Sequence, residues 1–183
     1  MNYFNAKEVE KETIRVLKDR PDPYVAYTIH EEDWVYSSNL NQTNKEYCKS
    51  NNVNISESYN MGGTIVASKG DLDVAIFKTN GWYIGKTMLE DVKKYLENKI
   101  NNISIDGNDL LIDGKYKVMS FASINAGDKY IYTVIHVSIN PNKDLIENVC
   151  TKEMKKIPKG LSEYGITTKE MVDLVTKLAN EIN

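Results

Sequence analysis

Residues 108–139 constrain the fold of this chain more than any other stretch. They read N-D-L-L-I-D-G-K-Y-K-V-M-S-F-A-S, then a short polar turn, then Y-I-Y-T-V-I-H-V-S-I. Asp113-Gly114 between two apolar runs is a strong hairpin signal, because the favoured two-residue turn needs positive φ at both central positions. A second turn is predicted at 125–128. Strands predicted over 109–112, 115–123 and 129–139 should therefore be consecutive and antiparallel. Lys117 sits inside this apolar pattern. An unpaired buried ammonium is costly, so such a lysine has an anionic partner, reaches solvent, or serves a ligand.

The rest of the chain surrounds this unit with a mixture of hairpins and helices. Val9, Thr13, Val16 and Leu17 predict a helix over 7–17, with Pro21 just beyond it. Short strands are predicted at 24–29 and 33–37, and a short helix at 44–50. Runs at 53–59, 64–67 and 72–78, punctuated by Gly62-Gly63 and Ser68-Lys69-Gly70, read as an antiparallel meander. Thr87 is placed as the cap of a helix reaching Ile100, with Met88, Val92, Tyr95 and Leu96 along one stripe. Another helix is predicted at 143–150. Thr167 and Glu170 form a capping box for a last helix that buries Met171, Leu174, Val175, Leu178 and Ile182. Strands and helices do not alternate regularly. The expected class is α+β, a mostly antiparallel sheet with packed helices, in one domain spanning 1–183.

Charge and composition narrow the function. The net charge of −3 lacks the strong positive field of a general nucleic-acid binder. The lysines at 152, 155, 156 and 159 read as a solvated face. No window has the apolar length of a membrane span, and the first residues lack a secretory core, so a cytoplasmic protein is expected, with neither nucleic acid nor membrane as partner. Cys48 and Cys150 fit no metal spacing and read as free thiols. His30 and His136 are the only histidines, and H-E-E-D-W is not H-E-x-x-H. A zinc site has to borrow distant carboxylates or thiols, and no protein metal ligand is assigned.

Several residues could carry chemistry. In a regular strand Lys115, Lys117, Met119 and Phe121 share a face. That face could line a pocket for a ligand with an apolar chain and an anionic head. The other reading of Lys117 is a strand-end lysine reaching solvent. His136 could orient a polar ligand group or be a satisfied structural histidine. Gly62 and Gly63 allow close backbone approach to an anionic oxygen, or simply form a turn. Cys150 reads as a buried helical thiol, with acyl-accepting nucleophile as the alternative.

Taken in order, these pieces resemble the lipoate-protein ligase A family of the biotin/lipoate ligase fold. N-M-G-G-T-I-V-A-S-K-G-D-L-D-V-A-I-F from Asn60 is similar to the family's glycine-rich turn and following strands. N-D-L at Asn108 and K-V-M-S-F-A at Lys117 resemble N-D-L and K-[VI]-S-G-x-A. His136-Val137-Ser138-Ile139 resembles the H-G-T-L-L strand, and L-S-E-Y-G-I-T from Leu161 resembles L-x-E-x-G-I-T. The chain differs from the pattern where Glu57, Ser58 and Tyr59 replace the arginine region, and at Met61, Ala67, Met119 and Ser120.

The resemblance implies an enzyme that activates lipoate or a related acyl acid with ATP and substrate-associated Mg²⁺. It then passes the acyl group to a lysine of a lipoyl-carrier protein domain. A separate accessory subunit is a further implied partner, since no accessory carboxyl-terminal domain is expected here. Lys117 would stabilise the transferring group. By the resemblance Gly62 and Gly63 would shape the acyl and adenylate site, and Asn108 and Asp109 would lie near the nucleotide or metal; Met119, Phe121 and His136 are expected at the acyl-substrate site from their strand faces. A non-catalytic acyl- or nucleotide-binding descendant, and an octanoyltransferase-like acyltransferase, remain as alternatives.

Overall fold

A computed structural model describes residues 2–3, 22–57, 63–79, 81–125 and 130–181, with positions 11, 15, 18 and 19. The predicted helix at 7–17 (apart from its positions 11 and 15), Gly62, the turn beyond Asn125 and Ile182 lie outside these residues. The strands are β1 (Asn2–Tyr3), β2 (Tyr24–Ile29), β3 (Trp34–Ser37), β4 (Asn54–Glu57), β5 (Thr64–Ala67), β6 (Leu72–Lys78), β7 (Ile103–Asp106), β8 (Asp109–Ile112), β9 (Tyr116–Asn125), β10 (Ile131–Val137) and β11 (Ile157–Pro158). The helices are α1 (Lys45–Ser50), α2 (Gly81–Leu96), α3 (Lys143–Val149) and α4 (Thr168–Glu181).

An eight-stranded sheet runs β1-β2-β6-β10-β9-β8-β7, with β11 beside β9. Its path is antiparallel from β2 to β7, as the hairpin signals require; β1 and β11 add parallel contacts. Asp113 and Gly114 both take positive φ, 53° and 65°, and turn β8 into β9. The class is α+β.

Period-two alternation divides the central strands between two layers. Leu72, Val74, Ile76, Ile135 and Val137 face α2 and α4, which bury Ile84, Met88, Val92, Leu96, Met171 and Val175 against them. Each fully buried side chain of this size contributes about 1.5–3 kcal/mol, so this layer is the main stabilising core. Ala75, Phe77, Tyr132 and Val134 lie on the opposite face. That face also carries Asp73 and His136, and it is where the smaller sheet sits.

The predicted meander is corrected. β4 and β5 do not pair with each other. Both pair with β3, in parallel and antiparallel respectively, as a separate sheet ordered β4-β3-β5. β6 leaves for the large sheet because its apolar side chains need cover on both faces. The small sheet is backed by α1 and α3 through Val35, Cys48, Val66, Leu145, Ile146 and Val149. Asn44 and Asn142 cap these two helices, accepting from Tyr47 N at 3.1 Å and Leu145 N at 3.2 Å.

The helix placed from Thr87 to Ile100 runs instead from Gly81 to Leu96, so Thr87 is internal. Gly81 and Gly85 hide its first turn from propensity reasoning. Gly85 has a packing reason: a Cβ there would lie 2.8 Å from the Phe121 ring. Thr167 caps α4 through Glu170 N at 3.2 Å, as predicted, but the Glu170 side chain turns away to Tyr95 and Lys99.

Candidate active site

The face of Lys117 is decided by one extra residue. Leu111 pairs with Lys117 but Leu110 pairs with Met119, so β9 bulges at Val118. Val118 and Met119 both enter the helix-covered core, and Lys117 turns to the other side. This corrects the expectation that Lys117, Met119 and Phe121 share a face. Met119 is 1% exposed, and Phe121 packs on Gly85. Neither lines the cleft that Lys117 enters.

That cleft has a volume of about 470 Å³. It opens between the uncovered face of the large sheet and β5. Lys117, His136 and Ser138 come from the large-sheet side, and Thr64, Ile65 and Val66 from β5. Cys150, Met154 and Pro158 add apolar or soft surface, while Lys152, Lys155 and Lys156 add positive charge. An apolar stretch beside cations suits an amphipathic anion.

Other predicted residues are placed less favourably for direct contact. Gly63 is exposed just before Thr64, at the cleft margin. Asn108 is exposed on the β7–β8 turn, and its carbonyl accepts from Phe121 N at 3.0 Å. The Asp109 carboxylate lies 4.0 Å from Lys117 Nζ and 2.6 Å from Lys156 Nζ. It is thus committed to two ammonium groups, which leaves it a poor magnesium ligand. Lys156 also pairs with Asp106 at 2.9 Å. Lys117 has the anionic partner its strand position demanded, while keeping 23% of its side chain exposed.

Beneath the cleft lies a buried polar network that sequence reasoning missed. Asp73 opposes both His136 and Thr28 across the sheet. Its Oδ1 is 2.7 Å from His136 Nδ1, and its Oδ2 is 2.7 Å from His30 Nε2. Ser138 Oγ lies 3.3 Å from His136 Nε2, and Asp71 Oδ2 lies 3.8 Å from it. Asp71 also accepts from the amides of Ser68, Ile139 and Asn140.

Burial alone would raise the Asp73 pKa, but His30 and His136 outweigh it and hold the carboxyl below the usual range. Burial likewise pushes His136 down, and Asp73 with Asp71 prevails, leaving it above 6.5 against the opposing charge of Lys117. For Asp71 burial wins, and its pKa is raised despite its partners. Burial raises the Cys150 thiol above 9.0, away from the reactive thiolate. The one available signal for the network was D-L-D in an otherwise apolar strand, which places Asp71 and Asp73 on the same face.

No protein-family model matches the sequence, and no curated protein matches it. Solved structures do. The P. falciparum LipL1 structure in complex with lipoate aligns with a TM-score of 0.78 at 14% identity, over 98% of this chain and 58% of that one. A bipartite lipoate protein ligase from Thermoplasma acidophilum, studied with its E2 lipoyl domain, gives 0.77 at 12%, over 98% and 82%. Lipoate-protein ligase A bound with ATP gives 0.71 at 14%, over 99% and 83%. The chain has the lipoate-protein ligase fold.

Proposed function

We propose that the chain is a lipoate-protein ligase-like enzyme, which activates lipoate or a related acyl acid with ATP and transfers it to a protein lysine. The observation that carries this reading is the Val118 bulge, which aims Lys117 into the cleft within this fold. The acyl chain would lie along Ile65, Val66 and Met154, gaining about 0.8 kcal/mol per buried methylene. Its carboxylate would meet Lys117, with His136 as a second contact from the floor. When the carboxylate attacks the α-phosphorus of ATP, an acyl-adenylate forms and pyrophosphate leaves. The acceptor lysine then attacks the acyl carbon, and AMP leaves. Lys117 would offset negative charge growing on the carbonyl and phosphate oxygens in both steps.

Neighbours solved with lipoate and with ATP support these substrates, and the E2 lipoyl domain of the bipartite ligase supports a lipoyl-carrier domain as acceptor. That bipartite ligase also favours supplying a separate accessory subunit in assays. The Asp109 contacts leave Mg²⁺ to arrive with the nucleotide. Among the described residues no helix is long and apolar enough to cross a membrane; a cytoplasmic setting for the reaction is part of the proposal. An acyl-cysteine route through Cys150 is less favoured, because burial keeps its thiol protonated.

Lipoate-dependent ATP–pyrophosphate exchange tests the reading. Exchange should appear with folded protein, alone or with an accessory subunit, and Lys117→Ala should abolish it. A folded chain that binds acyl acid or nucleotide without exchange would be a binding protein instead.

A further inference from the structure

We infer that His30, Asp73 and His136 form a binding site for one divalent transition-metal cation beneath the cleft. The inference does not depend on the ligase reading. Far apart in sequence, the three residues meet because β2, β6 and β10 lie near or beside one another. Their ligand atoms all fall within 4.8 Å of one another, and all three side chains are buried.

The chemistry of the set fits such an ion. Two imidazoles and one carboxylate are the donors that zinc, cobalt, nickel and ferrous iron accept, and calcium does not favour imidazole. Each histidine approaches a different oxygen of Asp73, both at 2.7 Å. An ion in front of the carboxylate, held by both oxygens, would bring each imidazole nitrogen beside the nearer oxygen. With metal bonds of about 2.0–2.2 Å, neighbouring ligand atoms about 2.7–3 Å apart correspond to roughly right-angled coordination.

The surroundings supply His136 with what a ligand histidine needs, whereas His30 Nδ1, which would carry the other ring's proton, is buried with no hydrogen-bond partner. With Nδ1 on the metal, the His136 proton sits on Nε2, where Ser138 Oγ at 3.3 Å can receive it, and the Asp71 carboxylate 3.8 Å away adds electrostatic attraction without a hydrogen bond. Such partners orient a ligand ring and set its tautomer. The backbone of His30 is clamped by His30 N to Asp71 O at 3.0 Å and Gly70 N to His30 O at 2.8 Å. His136 also lines the cleft, which gives the ion a route of entry. Binding replaces the two ring protons now directed at Asp73. A neutral imidazole moves its proton to its other ring nitrogen, a charged one releases its extra proton to solvent, and the cation exchanges bound waters for the three ligands.

The test is titration of the chelator-treated full chain with Co²⁺, then Zn²⁺, in a buffer without phosphate. The expected result is saturation at one equivalent, with visible cobalt ligand-field bands and no thiolate-to-cobalt charge-transfer band. Zinc should displace the cobalt and raise the thermal midpoint. His30→Gln should weaken binding by at least about 10- to 100-fold, the loss seen for weaker metal-site partners. Far-UV circular dichroism checks its fold. Should that variant fail to fold, the nitrogen ligand count of the wild-type cobalt form, read by X-ray absorption, decides. Absence of saturable binding overturns the inference and leaves a purely hydrogen-bonded network. So does a thiolate band, which would assign the metal to Cys48 and Cys150. So does unchanged affinity in folded His30→Gln, or fewer than two imidazole ligands.

Discussion

Phe121→Ala separates the two possible directions of β9. The bulge at Val118 puts Phe121 in the core and not in the acyl site. The ring is 4% exposed and packs against Gly85 of α2. Gly85 has no side chain to relax into the space left behind, so the cavity should stay largely open. Truncating a buried phenylalanine costs about 3–5 kcal/mol, and the upper part of that range applies here. Against a typical total stability of about 5–15 kcal/mol this is a large loss. For a chain of this size a loss of about 4–5 kcal/mol corresponds to a fall in thermal midpoint of about 8–20 °C. Urea unfolding followed by intrinsic fluorescence measures it, and lipoate binding is measured below the transition. The expected outcome is a large loss of stability with acyl affinity per folded molecule little changed. A variant that loses less than about 1 kcal/mol but no longer binds acyl acid would refute the assignment and return Phe121 to the pocket.

Four further outcomes follow from the same geometry. Gly85→Ala should destabilise despite its better helix propensity, and Phe121→Leu in the same chain should recover part of the loss; simple additivity in urea melts would show that the two do not touch. Deleting Val118 would set Lys117 beside Met119 in plain alternation and so leave it on the cleft face; losing one buried side chain should cost about 1.5–3 kcal/mol while unfolding stays cooperative, and a deletion variant that no longer folds would refute the bulge. Lys117→Ala alone should leave the thermal midpoint within a few degrees, since its 4.0 Å pair with Asp109 is of a kind worth about 0–1 kcal/mol, while exchange disappears. Lys99 and then Tyr95 hold the Glu170 carboxyl below its ordinary 4.5. Its contribution is therefore present above pH 4.5 and lost as pH falls through the lowered value, so the midpoint difference between wild type and Glu170→Gln should close in acid.

Much of the site was legible one residue at a time. Lys117 stood out because an ammonium in an apolar strand needs a partner, and Asp109 supplies one. His136 could be placed on the strand predicted over 129–139. What failed was the relation between positions. Alternation extended from Lys117 to Phe121 put Met119 on the wrong side, because a bulge follows from how β8 and β9 register and leaves no mark in a single strand's pattern. Asp73 passed unnoticed because its partners lie 43 and 63 positions away.

The sequence by itself determined the local chemistry: the Asp113-Gly114 turn, the short helices near 44–50 and 143–150, the cap at Thr167, and the α+β class. These rest on backbone geometry and on hydrogen bonds spanning a few residues. The tertiary structure alone decided that β4 and β5 flank β3, that α2 begins at Gly81, and that Lys117 leaves the core face. It alone brought His30, Asp73 and His136 within reach of one ion. Those outcomes depend on which strands pair and where, and pairing is set by the burial of whole faces, which no short window contains.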